Sequence, residues 1–484
     1  MKLESLTVIQ IVSMLKNKEI TCRELTEYYL SKIDEFKGKN AVLEIFYDCL
    51  DRADECDRLI SEGRDLPSLI GVPILIKDNI LYKGKISSSG SRLMQNFVAP
   101  FNATIIDRLL EAGVVILGRT NMDEFAMGGS CENSAYGACK NAYDDTRVSG
   151  GSSGGSAVAV ALDMCAFALG SDTGGSIRQP ASFNGVCGLK VTNGRISRYG
   201  LCAFSDTLDT VGLFTKNVED SAYILSIVAG KDDKDNTSSG TIVDNYVDYL
   251  GGSLVGKKIA VIDEVQSLID KTPYKSIYDN VLALCGKYGM QVVHKSIPSY
   301  EKVLPAYYTI APAEASSNMG RFDGIKYTSV YGQADNIRDL YSLTRSNLLG
   351  REVKRRIILG NFVLSSEQYS DYYIKAKNVA SKIKKEFMKI FETCDIILMP
   401  TTFGEAFEIG SKINDPVSMY IEDMFTVTAN IVGVPAMSVP ISRGNSGLPI
   451  GLQVVSSHFN EKEIFNFGNW IMGKRSELWE SMML

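Results

Sequence analysis

Histidine is nearly missing from this chain: of 484 residues only His294 and His458 carry an imidazole, and neither adjoins a serine-rich or acidic loop. A Ser-His-Asp triad assembles in space rather than in sequence, so scarcity alone does not exclude one. His294, however, lies in the strand-like Val292-Val293-His294-Lys295 and reads as structural. The ten cysteines show no Cys-x-x-Cys spacing, which with so little histidine leaves no zinc-ligand pattern. Several sit in apolar runs such as Met164-Cys165-Ala166-Phe167, as expected of buried thiols in a reducing compartment.

Other absences narrow the field. No uninterrupted apolar run reaches membrane-spanning length; the richest, residues 157–169, contains Asp163, so no membrane partner is expected. The opening Met1-Lys2-Leu3-Glu4-Ser5-Leu6 brings an acid early and lacks a small-residue cleavage site. That argues against a secretory signal and for a cytoplasmic protein, with an organellar matrix as the alternative. Net charge is −6 with no basic block, so the chain has no electrostatic footprint of its own for nucleic acid. Lys354-Arg355-Arg356 and Lys382-Ile383-Lys384-Lys385 read as solvated helix faces. There is no Gly-x-x-x-x-Gly-Lys-[Ser/Thr] phosphate cradle and no Gly-x-Gly-x-x-Gly after a strand.

What is present is an ordinary globular composition, 45% hydrophobic and 22% charged, with helix and strand patterns alternating along the chain. Helical periodicity marks residues 6–15 and 22–36, the second behind an N-cap Thr21 with Glu24 three residues on. Further helices are predicted at 104–112 and 156–162. Strands are predicted at 72–76, 114–117, 165–169, 258–262, 290–293, 396–399, 437–439 and 450–455. The alternation predicts an α/β protein around a largely buried sheet. The polar stretch 231–240 reads as a linker or exposed loop. The more helical region from about 241 to 394 reads as a cap-like insertion within one domain spanning 1–484.

Two Gly/Ser-rich loops carry the chemistry. One reads Gly150-Gly151-Ser152-Ser153-Gly154-Gly155-Ser156, the other Gly170-Ser171-Asp172-Thr173-Gly174-Gly175-Ser176-Ile177-Arg178-Gln179-Pro180. Upstream, Lys77 ends the apolar run Gly71-Val72-Pro73-Ile74-Leu75-Ile76-Lys77. Together they supply serine hydroxyls, clustered N–H donors and an amine, the parts of an acyl-transfer site that needs no histidine. An ordinary lysine is protonated at neutral pH, but burial disfavours the charged form and makes a base of it. Neighbouring strand residues point to opposite faces, so Asp78 need not neutralise Lys77. Thr173, Gly174, Gly175 and Ser176 offer successive N–H groups to an oxyanion. Read alone, Lys77 is more readily a solvent-facing lysine, and Ser176 is equally an N-cap serine. Residues 150–154 match a Gly-x-Ser-x-Gly elbow in form, but no clear strand leads into them.

These motifs resemble the amidase signature family over essentially the whole chain. The likeness is densest from Asn121-Met122-Asp123-Glu124-Phe125-Ala126-Met127-Gly128 through both loops to Gly188-Leu189-Lys190. It implies the amidase signature fold, a large twisted mixed β-sheet with helices on both faces. It also implies a catalytic triad of Lys77, Ser152 and Ser176. In that family Ser176 is the nucleophile, Ser152 follows a cis peptide and bridges to the lysine, and Thr173, Gly174, Gly175 and Ser176 supply the oxyanion hole.

Segments 304–318 and 352–360 further resemble the glutamine-hydrolysing branch of the family, which serves tRNA-dependent amidotransferases. That likeness implies that Tyr307, Arg356 and Asp423 hold free glutamine, with Tyr308 the alternative to Tyr307. Arg356 suits the α-carboxylate by a bidentate pair and Asp423 the α-ammonium. It implies no cofactor on this chain. ATP and magnesium belong to a second, tRNA-binding subunit that receives the ammonia, and a small third subunit braces the pair. The acceptor is a misacylated Glu-tRNA(Gln), with Asp-tRNA(Asn) left open. The chain departs from the family pattern at Gly129 and Cys131, where serine and threonine are usual, at Asn141-Ala142-Tyr143 and at Thr215-Lys216-Asn217. Gly129 and Cys131 fall near the expected glutamine pocket. Two rival readings stay open: a free-standing amidase on another small amide, which needs neither Arg356 nor Asp423, and a non-catalytic scaffold subunit.

Overall fold

Short apolar runs bounded by turn residues become eleven strands, and all of them join one mixed sheet. The structure, a computed structural model, describes residues 3–63, 65–272 and 274–482, without the side chains of 479–482. In chain order the strands are Val42–Ile45 (β1), Pro73–Lys77 (β2), Val115–Thr120 (β3), Phe167–Asp172 (β4), Cys187–Lys190 (β5), Thr210–Thr215 (β6), Lys258–Ile262 (β7), Gln291–Lys295 (β8), Ile396–Pro400 (β9), Ala436–Arg443 (β10) and Pro449–Val455 (β11). Across the sheet they run β1-β3-β2-β4-β6-β5-β10-β11-β9-β7-β8. β3, β2 and β4 are mutually parallel, as are β9, β7 and β8. The strands between these two groups pair antiparallel.

Every residue of β2, β3 and β4 is buried, as parallel strands covered on both faces require. All the predicted strands are present; β1, β5 and β6 are additional. At Thr21 the expected cap forms: its side chain accepts from Glu24 N, and Glu24 accepts from Thr21 N. The stretch 231–240 is a loop fastened to the body, since Asp232 accepts from Thr104 Oγ1 at 2.5 Å and Ser197 Oγ at 2.6 Å. Residues 241–394 contribute β7 and β8 to the sheet as well as the helices Val303–Met319, Ile337–Leu348, Arg351–Leu364 and Lys375–Ile390. No helix among the described residues is long and apolar enough to cross a membrane.

The parallel register places the chemistry. Ile74 lies opposite Phe167 and Leu75 opposite Ala168, so β2 and β4 end at the same edge of the sheet. Lys77 closes β2, Asp172 closes β4, and β3 ends beside them at Thr120, feeding the 121–153 loop. The carboxyl ends of parallel strands are where open α/β sheets bind their ligands.

Candidate active site

Strand alternation sends Lys77 and Asp78 opposite ways. Asp78 accepts from Arg119 Nη1 at 2.6 Å, Ser88 N at 2.9 Å and Gly90 N at 2.8 Å. Lys77 is fully buried, and its Nζ enters a cage of hydroxyls: 2.8 Å from Ser152 Oγ, 2.7 Å from Ser153 Oγ and 2.9 Å from Ser171 Oγ. Burial lowers the amine to about 7, overcoming the opposing pull of Asp123 and other acids.

The hydrogens can be counted. Ser153 Oγ donates to Ser171 O at 3.1 Å, and Ser171 Oγ accepts from Asn79 Nδ2 at 3.0 Å. Ser153 Oγ has spent its hydrogen and is an acceptor toward the lysine, whereas Ser171 Oγ keeps its own hydrogen. A neutral amine has one lone pair, and it lies within reach of Ser152, whose hydroxyl has no other partner among the described residues. The Gly151–Ser152 peptide is cis. Ser153 N donates to Ser176 O at 3.1 Å, which sets this segment alongside Ser176. Lys77 and Ser152 are 0% exposed and Ser176 is 7% exposed, so Ser176 is the member of the three that a substrate reaches.

Asp172 shapes the loop that carries Ser176. Its carboxylate accepts from Gly175 N at 2.9 Å, Ile177 N at 3.1 Å, Arg178 Nε at 3.1 Å and Nη2 at 2.9 Å, and Asn430 Nδ2 at 2.9 Å. Burial alone would raise this carboxyl, but Arg178 and Asn430 hold it well below the usual carboxylate range. Of the N–H groups expected to form an oxyanion hole, that of Gly175 is held by Asp172, because a buried carboxylate needs its donors. The N–H groups of Thr173, Gly174 and Ser176 have no acceptor among the described residues and remain for an oxyanion. Thr173 Oγ1 donates to Asp209 at 2.6 Å and Thr426 Oγ1 to Gly174 O at 2.5 Å, pinning the loop from two sides.

The helices Val303–Met319 and Arg351–Leu364 bring Tyr307, Tyr308 and Arg356 to this loop, and Asp423 comes from the turn after the helix Pro416–Ile421. The first two helices pack closely because Gly360 has no side chain; a Cβ there would lie 2.0 Å from Pro312 O. Tyr307 and Tyr308 are successive on the first helix, roughly 100° apart around its axis, and divide the work. The Tyr307 hydroxyl abuts Gly174, where a Cβ would fall 2.4 Å from it. Tyr308 Oη donates to Asp423 Oδ2 at 2.6 Å, and its ring stacks on Tyr420 with centroids 3.9 Å apart. Arg356 is buried among the rings of Phe204, Tyr308 and Tyr420, at 5.3, 5.5 and 5.6 Å. Its Nε donates to Glu352 Oε1 at 2.8 Å, while Nη1 and Nη2 find no acceptor among the described residues. That leaves one edge of the guanidinium fork free for a carboxylate. Burial raises the Asp423 carboxyl to about 7, with the Tyr308 hydroxyl and Arg356 pulling the other way.

Ser153, Ser171, Asp172 and Glu352 act in this site and are missing from the residues picked out by sequence. Glu352 had a signal, since it precedes Arg356 by four residues on a helix. Asp172 had one too, in the arginine six positions later in the same loop. The two histidines are elsewhere: His294 Nδ1 is 3.0 Å from Asp263 Oδ1 on β8, and His458 Nε2 is 3.1 Å from Val432 O.

The chain is similar to known proteins over nearly its whole length. The amidase family model matches residues 24–465. A glutamyl-tRNA(Gln) amidotransferase subunit of Thermoanaerobacter pseudethanolicus is 47% identical over 468 residues, 96% of each chain. Its namesake from Geobacillus kaustophilus is 45% identical over 462 residues, 95% of each chain. Among solved structures, the namesake from Thermotoga maritima superposes with a TM-score of 0.78 at 34% identity, covering 96% of this chain and 94% of its own. Peptide amidase from Stenotrophomonas maltophilia reaches 0.83 at 27% identity, covering 98% and 97%. With the family match spanning nearly the whole sheet and both serine loops, this chain belongs to the amidase family.

Proposed function

We propose that this chain hydrolyses glutamine and supplies the ammonia within an assembly of several subunits that transamidates misacylated Glu-tRNA(Gln). The observation that carries the reading is one juxtaposition. A lysine–serine cage lies against a loop that also touches a buried tyrosine, and next to that tyrosine stand an open guanidinium edge and a carboxylate. Arg356 and Asp423 together suit the head group of a free α-amino acid. The 47% identity to a glutamyl-tRNA(Gln) amidotransferase chain supports glutamine as that amino acid.

In this reading Arg356 takes the α-carboxylate, Asp423 the α-ammonium, and the side-chain carboxamide reaches Ser176. Neutral Lys77 accepts the Ser152 proton as Ser152 accepts that of Ser176, and Ser176 Oγ bonds to the carboxamide carbon. The N–H groups of Thr173, Gly174 and Ser176 hold the oxyanion. The relay returns the proton to the amide nitrogen, the C–N bond breaks and ammonia leaves. Water then attacks the glutamyl ester by the same relay, giving glutamate and free Ser176. The ammonia is used on a partner subunit that binds the tRNA and holds ATP and magnesium, with a small third subunit bracing the pair. A net charge of −6 without a basic block suits a chain that leaves tRNA to its partner.

The test is ammonia release by the complex purified from its native cell, with glutamine, asparagine and propionamide compared. Glutamine should exceed asparagine, one methylene shorter, by about 10- to 200-fold in kcat/KM, and propionamide by more. Equal use of propionamide would point instead to a free-standing amidase.

A further inference from the structure

Gln179 is the second residue of the helix Arg178–Asn184, three residues after Ser176, and is 1% exposed. Its two amide ends do different things. Oε1 accepts from Gly151 N at 3.0 Å, on the peptide just before Ser152, and this fixes which end is which. Nε2 is buried and has no acceptor among the described residues. A buried amide donor left bare is destabilising, so such groups recur where a ligand completes them.

The surroundings of Nε2 say what would complete it. Gly129 faces it without a side chain. A carbon at the Cβ position of residue 129 would meet nothing nearer than Gln179 Nε2 at 3.5 Å, with Asp423 Oδ1 and Met419 Sδ next at 3.8 Å. One small space is thus bordered by an unpaired N–H donor and by a carboxylate oxygen. A ligand that fills it must bring an acceptor to the first and a cationic donor to the second. An alkyl group brings neither and a neutral amide brings only an uncharged donor to the carboxylate, whereas an α-amino acid head group brings an anionic acceptor and a cationic donor. Met419 supplies an apolar wall, so that space offers the carboxylate no competing donor from that side.

We infer that Gln179 is a substrate-binding residue, its Nε2 donating a hydrogen bond to the α-carboxylate of the amino acid whose ammonium rests on Asp423. This rests on the reading of the chain as a glutamine hydrolase and adds to it a second reader of the carboxylate besides Arg356. Gln179 then links recognition to chemistry through one side chain: the end that meets the substrate and the end that holds the Gly151 N–H belong to a single planar amide.

The experiment compares glutamine with 4-aminobutanamide, which is glutamine without its α-carboxylate, on the intact complex. Gln179→Glu keeps an acceptor for Gly151 N and, once ionised, removes the donor. The ratio of kcat/KM for glutamine to that for 4-aminobutanamide should fall about 10- to 100-fold. The fall should deepen as pH rises and the introduced carboxyl loses the proton it would otherwise donate. Gln179→Met, which has no donor at any pH, should show the lowered ratio without the pH dependence and serves if the first variant does not fold. Should both substrates slow equally, leaving the ratio unchanged, Gln179 only holds the loop and the inference is overturned. A wild-type complex without preference for glutamine would instead sink the underlying reading, before any variant is made.

Discussion

Among the described residues Ser152 Oγ has one hydrogen-bond neighbour, Lys77 Nζ at 2.8 Å, and both side chains are fully buried. The amine titrates at about 7 because burial disfavours its charge. A base works in its neutral form, so kcat for glutamine should rise as pH rises through about 7 and level off above. Lys77→Arg, which stays protonated, should lower kcat by about 10²- to 10⁴-fold at every pH. A pH–rate profile that falls on going above 7 would contradict this assignment of the base.

Asp423 titrates in the same region for a different reason and in a different parameter. Its carboxyl, raised to about 7 by burial, is neutral below that value and anionic above it. Only the anion pairs with an ammonium, so KM for glutamine should fall as pH rises through about 7. Asp423→Asn should raise KM about 10- to 100-fold and flatten its pH dependence, leaving the kcat profile of Lys77 in place. Steady-state kinetics at several pH values separates the two.

Glu352 touches no reacting atom in the proposed mechanism; it aims Arg356. Its Oε1 accepts from Arg356 Nε at 2.8 Å and from Tyr420 Oη at 3.1 Å, and Arg355 holds the other oxygen. Glu352→Gln should raise KM for glutamine about tenfold, the value of one charge-assisted hydrogen bond, with kcat little changed. A loss confined to kcat would place Glu352 in another role.

Gly174 is boxed in by the buried Tyr307, whose hydroxyl would lie 2.4 Å from an added Cβ. The ring is packed against Tyr308 with centroids 4.9 Å apart, so the loop has to yield rather than the tyrosine. Gly174→Ala should displace the oxyanion donors and cut kcat by about 10²- to 10³-fold. Circular dichroism should show the fold unaltered.

The sequence made the candidate lysine and serine loops readable and left the residues packed around them largely hidden. Lys77 is legible because β2 is a continuous apolar run whose end must meet solvent or a site. The serine loops are legible because runs of glycine and serine break both the helical and the strand pattern. β5 and β6 escape such reading because they contain Gly188 and Gly212, which weaken a strand pattern. In the structure Gly188 lets the helix Arg178–Asn184 settle on the sheet, since a Cβ there would lie 2.5 Å from Ala181 Cβ, while a Cβ at Gly212 would lie 2.1 Å from Leu189 O on the adjacent strand. The capture of Gly175 N–H by Asp172 is equally unreadable: it depends on where a carboxylate at the end of one strand meets a turn three residues on. Tyr307 and Tyr308 show the same limit, because adjacency in a helix does not tell which ring faces the loop and which the acid.

The central claim is that Ser176 cleaves glutamine while another subunit uses the ammonia. The direct measurement is Gln-tRNA formation by the complex carrying Ser176→Ala, with either glutamine or ammonium chloride as nitrogen source. The account predicts no product from glutamine and undiminished product from ammonium. Loss of both activities, or retention of the glutamine-dependent one, would contradict it.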